Sequence, residues 1–195
     1  MFDFDGTLTR RDTLLPFLRR TRGASRTSIA LLATSLLLLR DRDAAKEAVL
    51  RRLLAGQDVD DLRAAATLFA DTVITRALRA SALERVESHK SEGHELVIVT
   101  ASPELYVGQI GERLGFAAVL GTRLETDGNG RLTGRLEGRN CRGAEKVERL
   151  RAWLGEADGA VTVHAYGDSA GDRQLWEFAD HAYRVRGNKL LVVEM

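Results

Sequence analysis

From residue 11 to about residue 80, leucines and alanines recur three and four positions apart, which predicts helices. Four segments carry the pattern: RDTLLPFLRRT, SRTSIALLATSLLLLR, RDAAKEAVLRRLLAG and DVDDLRAAATLFADTVITRAL. Asp and Ser stand at N-cap positions, and Gly23 and Gly56 stand where helices stop. Beyond this block helix and strand alternate: helix ASALERVESHKSEG, strand HELVIVTAS, helix PELYVGQIGERLG and strand FAAVLGTRLET. A hairpin at DGNG, strand RLTGRLEG, helix GAEKVERLRAWLG, strand AVTVHAYGDS, helix AGDRQLWEFA and strand HAYRVR follow. Alternation of this kind implies βαβ units with right-handed crossovers, hence an α/β fold on a mostly parallel sheet. Residues 1–4 read as the first strand of that sheet. The expected organisation is a core of residues 1–10 and 81–195, with residues 11–80 as an all-helical insertion.

The opening MFDFDGTLT interrupts its apolar pattern with two acids. Strand alternation puts Asp3 and Asp5 on one face and Phe2 and Phe4 on the other. Two carboxylates that close repel, and burying them unpaired is costly, so the pattern asks either for a cation or for a strand end that faces water. A DxD pair alone does not choose, since glycosyltransferases also hold a metal with one.

Composition narrows the picture. The 195 residues suffice for one substantial core, or for a core with a smaller insertion. With 29 basic and 28 acidic residues, the chain has no global field to draw in nucleic acid or anionic lipid, so any anion needs a local site. Cys141 is the only cysteine, which excludes an intrachain disulfide and makes a reducing, cytoplasmic interior the expectation. No signal-peptide pattern opens the chain. The four histidines show no zinc spacing, and DGNG lacks the acidic positions of a calcium loop. The apolar run IALLATSLLLL, residues 29–39, falls well short of the ~20 residues a membrane span needs. It is expected as a buried helix, with a hydrophobic groove or a homodimer face as its other uses.

In an open parallel sheet, ligands bind beyond the carboxyl ends of the strands. The first strand delivers Asp3, Asp5 and Thr7 there; ELVIV delivers Thr100 and Ser102; VTVHAY delivers Asp168, Ser169 and Asp172. Four carboxylates at one edge call for a hard, oxygen-seeking dication, and Mg²⁺ suits one or two carboxylates plus water and a substrate phosphate. Lys146 offers a second positive charge, although by periodicity alone it reads as a surface lysine.

DFDGTLT, VTAS, the lysine in CRGAEKVERL and YGDSAGD resemble, in order and spacing, the four motifs of the haloacid dehalogenase (HAD) superfamily. The helical block after the first motif resembles its C1-type cap, and DGTLTRRDTLLPFL and HKSEGHELVIVTASPE resemble subfamily IB, the group of phosphoserine phosphatases and related hydrolases. The resemblance implies a Rossmann-like three-layer core and a Mg²⁺-dependent phosphomonoester hydrolase acting on a small phosphorylated metabolite. It implies Asp3 as nucleophile and Asp5 as acid and base, with Thr100, the Ala101 amide and Lys146 on the phosphoryl group. Asp3, Asp168, the Asp5 carbonyl and Asp172, directly or through water, would hold the metal. In phosphoserine phosphatases an acid shortly after the first motif, with a cap arginine, recognises the amino acid. Asp12 stands at that distance, and it is equally an N-cap of the first helix; Arg19, Arg20, Arg22, Arg51, Arg52 and Arg63 are the candidate arginines. Only Met1 and Phe2 precede Asp3, so either the natural start lies upstream or the strand is unusually short. A phosphomutase would keep the same motifs. A phosphate-binding or interaction protein using its apolar cap helix is the rival from another class.

Overall fold

Hydrogen bonds on both sides of the first three residues put them in the middle of the sheet. Phe2 N donates to Val97 O and receives at its own carbonyl from Val99 N, both at 2.8 Å; Asp3 N donates to Tyr166 O at 2.8 Å and Tyr166 N to Met1 O at 3.1 Å. The structure is a computed structural model that describes residues 1–157 and 160–193; positions 158, 159, 194 and 195 of the expected core lie outside the described residues. Strand β1 (Val97–Pro103) pairs in parallel with β2 (Ala118–Thr122). Strand β5 (His164–Gly167) pairs in parallel with β6 (His181–Arg186), which pairs antiparallel with β7 (Lys189–Val192). Phe2 bridges Ile98 on one side and Tyr166 on the other, joining both groups into one sheet. A separate hairpin, β3 (Leu124–Thr126) and β4 (Leu132–Leu136), closes at DGNG as expected.

Helices fill the intervals: α1 (Leu14–Arg22), α2 (Ala24–Leu38), α3 (Arg42–Leu54) and α4 (Val59–Arg76) without a strand among them, then α5 (Ala80–Ser91), α6 (Glu104–Arg113), α7 (Ala144–Leu154) and α8 (Arg173–Phe178). Asp41 and Asp58 cap α3 and α4, each accepting from two backbone amides of the first turn. Alternation along β1 builds the two core layers: Ile98 packs with Phe2, Tyr106, Ile110 and Tyr166, whereas Val97 and Val99 pack with Leu150, Leu175 and Trp176 of α7 and α8. The segments entering and leaving α1–α4 pair with each other, through Arg10 N to Ala77 O and Arg79 N to Leu8 O, both 2.9 Å.

Three expectations need correction, and one strand goes beyond them. The first strand is shorter than residues 1–4, because Phe4 already belongs to a turn. FAAVLGTRLET divides in two, its second half turning to pair with β4. The strand β7 beyond Gly187 was not foreseen; Gly187, at φ 60°, makes the hairpin. The run 29–39 is not a buried helix. On α2, Thr27, Ala30 and Thr34 form the buried side, while Ile29, Leu32 and Leu36, and Leu39 just past its end, are 67–83% exposed. A run apolar all round gives no sign of which face is covered. Among the described residues no helix is long and apolar enough to cross a membrane.

The fold also gathers all four histidines at the amino ends of the strands, opposite the motif edge. His89 Nδ1 lies 2.8 Å from His94 Nδ1, its Nε2 lies 2.8 Å from the Tyr166 hydroxyl, and the His164 ring lies between His89, which it meets edge to face, and the tilted ring of His181. A cavity of about 620 Å³ opens there, lined by residues outside the four motifs.

Candidate active site

Past Asp3 the chain leaves the sheet in a wide turn closed by Thr9 N donating to Phe4 O at 3.0 Å. Asp5 is extended and Gly6 takes φ 84°, a region glycine enters without steric cost. Space demands glycine here as well: a Cβ on Gly6 would stand 2.3 Å from Asp168 Oδ2. Arg79 holds the turn from behind. Its buried guanidinium donates to the carbonyls of Gly6 (2.9 Å), Thr7 (3.2 Å) and Thr9 (3.5 Å), and to that of Gly187 in the β6–β7 turn.

Asp3, Asp168 and Asp172 each bring a carboxylate oxygen within 4.8 Å of the others. Lys146, in the first turn of α7, donates from Nζ to Asp3 Oδ1 and Asp172 Oδ1, both at 2.6 Å, with all three side chains under 10% exposed. The other oxygen of Asp172 accepts from the amides of Asp168 (3.2 Å) and Ser169 (3.1 Å) and the Ser169 hydroxyl (3.2 Å), which anchors the loop after β5. Gly167 permits this approach, because a Cβ there would meet Asp172 Cβ at 2.6 Å. Burial pushes the Asp3 carboxyl up to about 7 even though the Lys146 charge pulls it down. Burial works against the Lys146 ammonium, but Asp3 and Asp172 outweigh it and keep the lysine charged. Asp168 is also raised, chiefly by burial and then by Asp172. Three buried or half-buried oxygen donors at one edge, with one ammonium among them, form a set that fits a hard divalent cation.

Asp5 lines the same cavity as Asp3, as strand alternation expects, but its carboxylate takes different partners. The turn carries Asp5 toward the helical block, where Oδ1 accepts from Thr13 N and Thr13 Oγ1 (both 2.7 Å) and Oδ2 from Ser102 Oγ (2.5 Å). Burial first, and then the Asp12 charge, push its carboxyl up to about 6, against the hydrogen bonds from Ser102 and Thr13. Tyr106 backs the cluster, its hydroxyl 3.0 Å from Thr13 Oγ1. Thr100 is buried and accepts from Ser102 N at 3.0 Å. Thr100 and Ala101 line a cavity of about 190 Å³ together with Asp3, Asp5, Lys146 and Asp172.

Asp12 answers to both of its readings. It accepts from Leu15 N at 3.2 Å, as a cap of α1 does, and it also lines the cavity. None of the six candidate arginines lines that cavity: Arg22 bonds Gln57 at 2.5 Å, and Arg63 pairs with Asp60 on the surface. The cations that do line it beside Lys146 are Lys46 and Arg142. Lys46, from α3, donates to Asn140 Oδ1 (2.5 Å), Thr122 Oγ1 (3.3 Å) and Ala101 O, and burial lowers its ammonium to about 8. A signal for it exists in the sequence, since Lys46 stands three, four and seven residues before the buried Val49, Leu50 and Leu53. Arg79 and Thr13 carry no such signal, because what they touch comes from distant segments.

Comparison with known proteins agrees with this geometry. The model of the haloacid dehalogenase-like hydrolase family matches residues 1–177. Protein CicA of Caulobacter vibrioides is 38% identical over 190 residues, covering 94% of this chain and 84% of CicA. A Bordetella pertussis protein of unknown function has a crystal structure that superposes with TM-score 0.79 at 29% identity, over 93% of this chain and 86% of that one. A substrate-bound phosphoserine phosphatase shares the fold, with TM-score 0.65 at 20% identity over 93% of this chain and 82% of that one.

Proposed function

Because the chain belongs to the haloacid dehalogenase-like hydrolase family, we propose that it is a magnesium-dependent phosphatase that hydrolyses a small phosphate monoester through an aspartyl-phosphate. The observation that carries this reading is the separation of two aspartates only two residues apart into different surroundings, Asp3 against Lys146 and Asp5 against Thr13 and Ser102.

Asp3 is the nucleophile. Its carboxylate oxygen bonds to phosphorus as the bond from phosphorus to the alcohol oxygen breaks. Asp5 gives the departing alkoxide its proton; a carboxyl pushed up to about 6 holds that proton near neutrality better than an exposed aspartate. Once ionised, Asp5 takes a proton from the water that cleaves the aspartyl-phosphate, which releases phosphate and restores Asp3. Lys146 neutralises charge between nucleophile and phosphoryl oxygens, and Thr100 and the Ala101 amide bind those oxygens from the start of the β1–α6 connection. Bound at Asp3, Asp168 and the Asp5 carbonyl, with Asp172 beside it or behind its waters, magnesium would supply the positive charge that lets two anions meet.

Residues 11–80 act in this reading as the cap over the core, and their paired entry and exit segments form its hinge. Asp12 and Lys46 reach the site from that side. The reading places the enzyme in the cytoplasm. The test is a panel of phosphomonoesters with magnesium and with a chelator, repeated on Asp3→Asn. Turnover is expected only with magnesium and an intact Asp3; full turnover by Asp3→Asn sinks the nucleophile assignment.

A further inference from the structure

We propose that the ester hydrolysed here carries an aliphatic chain next to its phosphate. The inference rests on the hydrolase reading above and names its substrate class. A second cavity of about 190 Å³ adjoins the motif site, the two sharing Asp12, Leu14 and Lys46. Beyond that neck the wall is aliphatic, formed by Leu15 and Leu18 of α1, Leu31 of α2, and Val49 of α3. Leu18 and Val49 are buried, and Leu31 packs against the main core cluster.

Three of its four polar neighbours have partners already. The Thr34 hydroxyl donates back to Ala30 O at 2.9 Å, the Lys46 ammonium is held by Asn140, Thr122 and Ala101 O, and Asp12 accepts from Leu15 N. Arg42 is exposed. A charged amino-acid head pushed against Leu15, Leu18, Leu31 and Val49 would lose water without gaining partners, whereas each methylene leaves water at a gain. Polar anchors at one end and an apolar chamber at the other suit a ligand with a phosphate head and an aliphatic body.

The test assays the wild-type protein with magnesium on methyl, propyl and pentyl phosphate, phosphoserine and p-nitrophenyl phosphate. We expect kcat/KM to rise about fourfold per methylene until the chamber is full, and pentyl phosphate to exceed phosphoserine by about tenfold or more. A flat series, or phosphoserine ahead of pentyl phosphate, overturns this inference and leaves the hydrolase reading standing. No turnover of any of these esters overturns both. Leu31→Asn brings the pentyl-to-methyl ratio down toward one, and an unchanged ratio counts against the chamber. If that variant does not fold, the half-buried Leu15→Asn carries the same comparison. The same ester chemistry can come from a soluble metabolite or from a membrane-borne alkyl phosphate lipid, so hexadecyl phosphate in phosphatidylcholine vesicles is assayed beside pentyl phosphate. Phosphate release from the vesicles as fast as from pentyl phosphate assigns the lipid, and release from pentyl phosphate alone assigns the soluble ester.

Discussion

Replacing Arg79 by Met tests whether the motif turn is held from behind by one side chain. The guanidinium, on a residue 8% exposed, donates to three carbonyls of the turn and to Gly187 O. Its bonds to Thr7 O and Thr9 O are the buried ones, while Gly6 O and Gly187 O stand where water can follow. Methionine keeps much of the packing volume and leaves two buried carbonyls without a donor, at about 1–3 kcal/mol each. Arg79→Met should therefore cost about 2–6 kcal/mol in urea unfolding, or roughly 4–24 °C in Tm. Arg79→Lys keeps a charge and reaches fewer carbonyls, so its loss should fall between wild type and the methionine variant. The activity readout separates positioning from stability. Well below the melting range, kcat per folded molecule should fall in Arg79→Met and partly recover in Arg79→Lys, with KM changed less than kcat. A loss under about 1 kcal/mol, or equal kcat in the folded fraction of all three proteins, would refute the reasoning.

Three further outcomes follow from the geometry. Ser102→Ala removes a donor that favours the ionised form of Asp5, so its carboxyl should rise above about 6 and the limb of the pH–rate profile that needs protonated Asp5 should move to higher pH. Gly6→Ala forces a side chain into the left-handed region and against the Asp168 carboxylate. It should cost about 1–2 kcal/mol in urea unfolding and more than that in magnesium-dependent activity, which a magnesium titration checks. His89 is held down at about 4, chiefly by burial and then by the His164 charge. Between pH 6.5 and 4 the unfolded chain binds the proton that the fold refuses, so this residue's contribution to stability falls as pH falls through that window. Urea unfolding of His89→Gln against wild type should show the variant gaining relative stability toward the acid end, and parallel curves would exclude the effect.

Much of the candidate site is legible in the sequence, because the residues it gathers stand at fixed local spacing. Asp3, Asp5, Thr100, Lys146, Asp168 and Asp172 stand at strand ends or in a helix's first turn, and the alternation of helix and strand brings those ends to one edge. The helical block, the parallel sheet and the DGNG hairpin are local patterns too, and most elements came within a few residues of their boundaries. What the pattern could not hold was which face of an apolar helix is covered. Residues 29–39 carry leucine on every side, and only the packing of α1 and α3 against Thr27, Ala30 and Thr34 leaves Ile29, Leu32, Leu36 and Leu39 in solvent.

Tertiary structure alone decided the partners. Asp3 and Asp5 share a face in an ideal strand, yet the chain leaves the sheet between them, and one carboxylate meets a lysine 143 residues away while the other meets Thr13 and Ser102. The same holds for Lys46, rather than a candidate arginine, on the cavity wall, for Arg79 behind the turn, and for four histidines gathered from three segments. Local spacing determines which groups can appear at an edge, because it acts through bonds and short-range sterics. Which groups touch there depends on burial and charge among distant segments, and those forces act only once the chain has closed.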